Sequence, residues 1–480
     1  MKYRIPTLLL AALIAASTVS CGSSGSTSDT TAASGDTTAA DAAGYAYPTD
    51  YAGQEFRILN INDIFSMHAK ITAEENTGES LNDAQFNAVT KFEEMTGTTI
   101  VETNIDLQKE FQVQFPQTIL AGDDLYDIVY MNQRDYWTYA SQNYMLNLLE
   151  VDGFHLDADY WNKAYNDEII VNDKLFAVQG YAHLTLLDAI GALIFNKSMM
   201  ETYNLEAPYQ AVKDGKWTMD LYQTYIKSAA NLNGDEAFEW TAEGQCTWGL
   251  VLPNNAGNML VEMGENTVAL QGGKLVLSVG SERFYNVCEK IANLFSLDAG
   301  SVVLAHYNGD DLPDSYVGIF ENQRAMFGQS EVAKAGRLRD KDFEFGLLPK
   351  PKYDEAQERY YSIQSYPASG VSIPVTSTDP VKAAKLSDAL NYIFKEDVYP
   401  IFRELTLEQK HLRDEESVEM LDILIESAVP NYSTIFSLDT SGFYTNLASQ
   451  LRSGNSSVAS VVASNENALK AAVDKVNTVE

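Results

Sequence analysis

From Tyr51 onward the apolar residues switch repeatedly between a spacing of two and a spacing of three to four. That alternation of strand and helix restricts the folds open to the chain more than any other feature. Phe56-Arg57-Ile58-Leu59-Asn60-Ile61 alternates as a strand, and Phe86, Val89, Phe92 and Met95 form one face of a helix over residues 81–95, closed by Gly97. Thr99 to Val101 reads as the next strand, residues 107–120 as a helix despite Pro116, and Asp127-Ile128-Val129-Tyr130-Met131 as a buried strand. A second series follows. It has a strand over Ala192-Leu193-Ile194-Phe195, a helix from Met219 capped by Thr218, a strand from Trp248 to Leu252 and a hairpin turn at Gln271-Gly272-Gly273-Lys274. Glu282 to Leu297 reads as helix. Ala325-Met326-Phe327, residues 343–348 and Val371-Ser372-Ile373 read as strands, and the tail from Asp379 is mostly helical. Such a series predicts an α/β chain with mostly parallel sheets flanked by helices. Ligands in these sheets sit beyond the carboxyl ends of the strands, which marks the loops after Ile61 and Met131.

Composition narrows the partners. With 33 Lys plus Arg against 67 Asp plus Glu, the 480-residue chain carries a formal charge of −34. A polyanion of that size is repelled by nucleic-acid phosphates, so no nucleic-acid partner is expected. Cys21, Cys246 and Cys288 are the three cysteines; no CxxC pair exists, and His68, His155, His183, His306 and His411 are scattered without ligand spacing. No metal site and no cofactor is therefore expected. Cys246 and Cys288 are read as buried thiols, with pairing left open. There is no GxGxxG, GxxxxGK[ST], HExxH or GxSxG. Carboxylate pairs suited to glycoside hydrolysis always exist among 67 acids, so they say nothing by themselves.

The N-terminus reads as an export signal over residues 1–20. Lys2 and Arg4 precede nine consecutive apolar residues, Leu8 to Ala16, a run well short of the roughly 20 a membrane span needs. Ser17-Thr18-Val19-Ser20-Cys21 follows, and residues 22–44 contain only Gly, Ser, Thr, Ala and Asp. Such a composition cannot build a core, and residues 21–53 are expected to act as a disordered tether spanning about 30 Å. The small residues before Cys21 resemble the lipobox of bacterial lipoproteins, although Thr18 stands where that pattern has an aliphatic residue. The resemblance implies lipidation at Cys21 and a place on the extracytoplasmic face of the cell membrane.

Several segments in order resemble the extracellular solute-binding proteins of bacterial sugar ABC importers, the group that includes maltose-binding protein. Phe92-Glu93-Glu94-Met95-Thr96-Gly97-Thr98-Thr99-Ile100-Val101 is similar to the family's early helix-to-strand run, and Asp127-Ile128-Val129-Tyr130-Met131 to its "DI" strand. Lys174-Leu175-Phe176-Ala177-Val178 with Leu193-Ile194-Phe195-Asn196-Lys197 resembles its crossover. Trp217-Thr218-Met219-Asp220-Leu221 is similar to its "T-W-x-E-L" helix start, and Glu321-Asn322-Gln323-Arg324-Ala325-Met326-Phe327 to its "G-x-A-A-M" strand. Two places near the expected cleft depart from it: Val178 to Tyr181 lacks the family's proline, and Gln329-Ser330 stands where many members carry tryptophan.

The resemblance implies a two-lobed periplasmic-binding-protein-like fold of type II, with discontinuous lobes joined by a hinge. Lobe 1 would hold 54–180 plus 366–412, and lobe 2 would hold 181–365 plus 413–480. It further implies a monomer that makes and breaks no bonds, captures a sugar or oligosaccharide between its lobes and delivers it to membrane permease subunits. A secreted glycan-degrading enzyme on the same anchor, or a sensor feeding a signalling receptor, stays open beside it.

Sugars present hydroxyl groups, which need planar polar partners, and apolar faces, which stack on rings. Asn132-Gln133-Arg134-Asp135-Tyr136-Trp137 offers both at a strand's carboxyl end. Aligned on the maltose-binding pattern, Gln133, Arg134 and Asp135 fall on a sugar-contacting loop, Arg134 as bidentate donor and Asp135 as acceptor. Tyr136 and Trp137 either stack on the ligand or begin a helix and pack inward. Asn62 and Asp63 match another contact loop or simply cap a turn. Tyr181 and Tyr366 flank the inferred crossovers, Asn254 follows the Trp248 strand, and Gln329 follows the Met326 strand; all four are candidates. Trp161 and Trp217 are assigned to packing.

Overall fold

The computed structural model describes residues 39–40, 44–62, 67–106, 110–241, 243–253, 257–305, 315–338, 341–404, 415–439 and 442–479. Cys21, Asp63, Asn254 and the crossover expected near residue 412 lie outside the described residues.

The first sheet carries its strands in the order Ser369–Ser372, Ile128–Asn132, Glu55–Ile61, Thr99–Ile105. The last three are parallel, with Ile58 opposite Glu102 on one side and Ile128 on the other. Ser369–Ser372 alone runs antiparallel, against Ile128–Asn132. The helix Ser80–Thr96 crosses between the first two strands, and its apolar stripe buries Leu81, Ala88 and Phe92. It stops at Gly97, whose φ of 71° suits a residue without Cβ and lets its N–H reach the Glu93 carbonyl. Phe56 and Phe92 meet beneath it with ring centres 6.0 Å apart. Burying each such side chain stabilises the lobe by roughly 1.5–3 kcal/mol.

The second sheet is ordered Val302–Ala305, Trp248–Pro253, Ala325–Glu331, Gly191–Asn196, Phe345–Leu348. Here Gly191–Asn196 is the strand that opposes its neighbours. The two exceptional strands have one cause. Parallel strands in both sheets end at the region between them. A segment that crosses from one sheet into the other therefore enters at the end where its new neighbours finish, and it must run the other way. Gly191–Asn196 is the chain's entry into the second sheet and Ser369–Ser372 its return to the first. The crossing segments lie side by side, with Ser365 N–H donating to the Ala189 carbonyl at 2.8 Å and Ile190 bridging to Gln364.

At the far, amino end of the first sheet, buried Asp127 accepts from the Arg57 backbone and guanidinium, each at 2.8 Å, and lies 3.0 Å from Lys382 Nζ. The carboxylate of the "DI" strand thus holds strand to helix, away from the cleft. The predicted hairpin forms, with Val268–Gln271 paired to Lys274–Leu277 and Gly272 and Gly273 at φ 58° and 76°. Val302–Ala305 and the helix Tyr316–Glu321 were not expected from the sequence. The four apolar residues Val302 to Ala305 are too short a run to separate strand from loop. The folded body also starts earlier than residue 54: Ala46–Tyr47 pairs with Ala39–Ala40, and Tyr47 is fully buried. Tyr45 stacks on Tyr392 at 4.1 Å and donates to Asp388 at 3.1 Å. Cys246 and Cys288 are buried and unpaired. Among the described residues no helix is long and apolar enough to cross a membrane.

Candidate ligand-binding site

The strand Ile128–Asn132 ends at the cleft, and the chain turns through Gln133, Arg134 and Asp135 into the short helix Tyr136–Ala140. Asn132 organises that turn. Its Oδ1 accepts from Arg134 N–H at 3.0 Å, and its Nδ2 donates to the Asp135 carboxylate. Asp135 is 6% exposed and faces into the loop, where burial raises its pKa to about 6 against the opposing hydrogen bond from Asn132. One of its two oxygens, Oδ2, is thus taken up by Asn132, so that Asp135 braces the loop.

Gln133 is fully buried and donates from Nε2 to Gln364 Oε1 at 3.3 Å. That same oxygen accepts from Gln179 at 3.0 Å, while Gln364 Nε2 donates to the Leu186 carbonyl at 2.7 Å. Gln364 thereby ties three chain segments together at the crossover. Arg134 lies flat over the Tyr366 ring, its guanidinium carbon 3.7 Å from the ring centre.

Between the sheets, bounded by Gln329, Glu331, Ser365, Tyr366 and Asn431, is a cavity of about 160 Å³. Its wall is polar and incompletely satisfied. Ser365 Oγ is buried without a hydrogen-bond partner, as are Arg134 Nη2 and Gln133 Oε1 close by. Glu331 keeps an ion pair with Lys334 at 3.3 Å, and Lys334 Nζ donates to Tyr316 at 2.6 Å. A buried polar atom left unpaired costs on the order of 1–3 kcal/mol, so several around one cavity mark a place prepared for a polar occupant.

Gln329 and Tyr366 therefore meet at the cavity, with Arg134 behind Tyr366. Other candidates lie elsewhere. Tyr136 is buried against Gly370, where an added Cβ would stand 2.7 Å from the tyrosine oxygen. Trp137 is 4% exposed, edge-on to Phe176 at 5.3 Å and Phe436 at 5.1 Å. Both rings pack inward, the second of the two readings open for this pair. Tyr181 packs on Tyr399 at 4.8 Å, beneath Lys395 Nζ at 4.7 Å, on the face of the helix that follows residue 394. Asn62 donates its N–H to the Ile105 carbonyl at 2.9 Å and prolongs the strand pairing.

Sequence reasoning missed Gln364, Ser365, Glu331 and Asn431. The first two adjoin Tyr366 in the inferred crossover, a neighbourhood that could have been widened by two residues. Asn431 shows only the signature of a helix cap, and nothing local connects it with the cleft. Among the described residues no cluster of three or more His, Cys, Asp or Glu is placed to hold a metal ion.

No protein-family model matches the sequence, and no curated protein matches it. Solved structures do match. The galacto-N-biose-/lacto-N-biose I-binding protein of the ABC transporter from Bifidobacterium longum superposes with a TM-score of 0.58 at 10% identity, covering 89% of this chain and 98% of that one. A cyclo/maltodextrin-binding protein complexed with maltotetraose gives 0.56 at 15% identity, over 90% and 97% of the two chains. An ABC substrate-binding protein from Listeria monocytogenes in complex with cycloalternan gives 0.52 at 14% identity, over 88% and 98%. With the reciprocal antiparallel strands and the cavity between two sheets, these likenesses establish that the chain has the two-lobed, type II periplasmic-binding-protein fold.

Proposed function

We propose that the chain is the solute-binding component of an ABC importer, held to the extracytoplasmic face of the membrane by a lipid on Cys21. It captures a sugar or oligosaccharide between lobes spanning 54–180 plus 366–412 and 181–365 plus 413–480, and hands it to permease subunits. The observation that carries this reading is the cavity at the crossover, where Ser365 Oγ and, close by, Arg134 Nη2 and Gln133 Oε1 lack hydrogen-bond partners beside the Tyr366 ring. Hydroxyl groups of a sugar supply both donors and acceptors to such atoms, and the ring's face suits the sugar's C–H face. Gln329 and Asn431 add planar amides to the same wall. The neighbours in structure that bind lacto-N-biose, maltotetraose and cycloalternan support a saccharide as the class.

An importer's receptor must release as well as capture, which places the dissociation constant near micromolar, about −8 kcal/mol. A thermal-shift screen of mono- and oligosaccharides tests the reading. A ligand at a hundred times its dissociation constant stabilises the folded state by about 2.7 kcal/mol. A stabilising saccharide is the expected result; a flat screen, or turnover of a glycan, contradicts it.

A further inference from the structure

The cavity at the crossover, at about 160 Å³, is below the range of roughly 300–1,000 Å³ in which small-molecule sites fall. It has a neighbour. A second cavity of about 360 Å³ lies on the other side of Asn258, Asn431 and Thr434, and these three residues line both. The partition between them is slight: Asn431 Nδ2 donates to Asn258 Oδ1 at 3.3 Å. The other end of the Asn431 amide is committed, since Oδ1 accepts from Ser433 N–H at 3.1 Å and Ser433 Oγ at 2.6 Å to cap the helix Tyr432–Ile435. Asn431 is therefore fixed in place while its Nδ2 group remains able to exchange Asn258 for another acceptor.

The second cavity repeats the chemistry of the first. Thr267, Ser433 and Tyr444 put hydroxyl groups on its wall, with the Thr267 and Tyr444 hydroxyls bonded to one another, and Tyr444 adds an aromatic ring. Exposed Thr445 stands on its lining as well. A hydroxylated wall with aromatic rings in both halves suits a chain of sugar units that passes from one half to the other.

We propose that the two cavities are compartments of one elongated site, and that Asn431 is a specificity-determining residue at their junction. The terminal unit of an oligosaccharide occupies the compartment at Tyr366 and Ser365. The next units pass Asn431, replace its bond to Asn258 and occupy the compartment at Tyr444. The proposal rests on the saccharide reading above and adds to it that the solute is longer than a single sugar unit.

Calorimetric titration with glucose, maltose and maltotetraose, and with galactose, melibiose and raffinose, tests it on wild type and on Thr445→Trp. The bulky ring at the exposed position 445 obstructs the second compartment, and an unliganded melting curve verifies that the variant folds. The expected result is that the longest member of at least one series binds wild type at least tenfold tighter than its monosaccharide. Thr445→Trp should then shrink that ratio at least tenfold. A monosaccharide that binds as tightly as its longer relatives, or a ratio that Thr445→Trp leaves alone, overturns the two-compartment site while sparing the saccharide reading. No heat from any of the six overturns both.

Discussion

The guanidinium of Arg134 lies 3.7 Å above the ring of Tyr366, and the two residues come from opposite ends of a long excursion of the chain through the second sheet. Arg134 follows the last parallel strand of the first sheet, and Tyr366 precedes the strand that returns to it. The stacked pair consequently forms at the base of the cleft, where the ring lines the cavity and the cation holds it in place. A cation over a desolvated ring is worth about 1–2 kcal/mol. Tyr366→Leu should weaken ligand binding by roughly tenfold or more, at 1.4 kcal/mol per decade, while Tyr366→Phe keeps most of the affinity. Titration of both variants with the same saccharide checks this; equal affinity in all three proteins would remove the pair from the site.

Trp137 gives the opposite pattern. Its ring is enclosed by Phe176 and Phe436 and does not line the cavity at the crossover. Trp137→Ala should cost about 3–5 kcal/mol of stability, as for other large-to-small core changes. Affinity at a temperature where the variant remains folded should change little. Denaturant titration without ligand, paired with calorimetry, separates the two effects.

Asp135 makes stability depend on pH in a stated direction. Burial raises its pKa from 3.8 to about 6, so between those values the folded protein binds more protons than the unfolded chain. Its contribution is complete below the unfolded value and is lost as pH rises through about 6. Asp135→Asn keeps an acceptor for Asn132 and removes the charge, so it should raise stability at pH 7 by on the order of 2–3 kcal/mol. His183 acts the other way. Burial lowers its pKa to about 3, so stability falls as pH drops below about 6.5. Melting curves of wild type and Asp135→Asn from pH 4 to 8 should converge at the acid end, separate as pH rises from 4 to 6 and keep a constant gap above it. Curves parallel over the whole range would contradict a buried, proton-binding Asp135.

Asp388 fastens the start of the body. This buried carboxylate accepts from Tyr45 at 3.1 Å, Tyr160 at 2.6 Å, Trp161 at 3.0 Å and the His155 backbone at 2.9 Å. Asp388→Ala would leave buried donors without an acceptor, and a loss of about 3–5 kcal/mol is expected. Proteolysis should also begin to cleave near Tyr45 in the variant before the rest of the body unfolds.

The fold was legible because its signals are local. The Phe86–Met95 stripe with Gly97 behind it, and the paired glycines of the 268–277 hairpin, each specify an element within one short stretch of chain. Gly191–Asn196 reads as a strand in the same way, yet nothing local states that it opposes its neighbours; that follows from where the chain crosses between sheets. The site was less legible for the same reason. Arg134 and Tyr366 could each be named singly, the first by its loop and the second by its crossover. Tyr136 and Trp137 stayed ambiguous because a ring next to a polar loop reads alike whether it faces a ligand or the core. Ser365 stands out only once burial shows its oxygen unpaired, and Glu331 only once folding brings it to the cavity wall. That property belongs to the assembled cleft.

The most direct test of the account is a crystal structure of the protein grown with the saccharide that stabilises it most in the thermal screen. The account predicts that saccharide between the two sheets, with hydroxyl groups within hydrogen-bond distance of Ser365 Oγ and Gln329 and a sugar face against Tyr366. A saccharide seated instead in the separate cavity beside Trp137 and Lys475, or on the outer surface with the crossover cavity still holding only water, would contradict it.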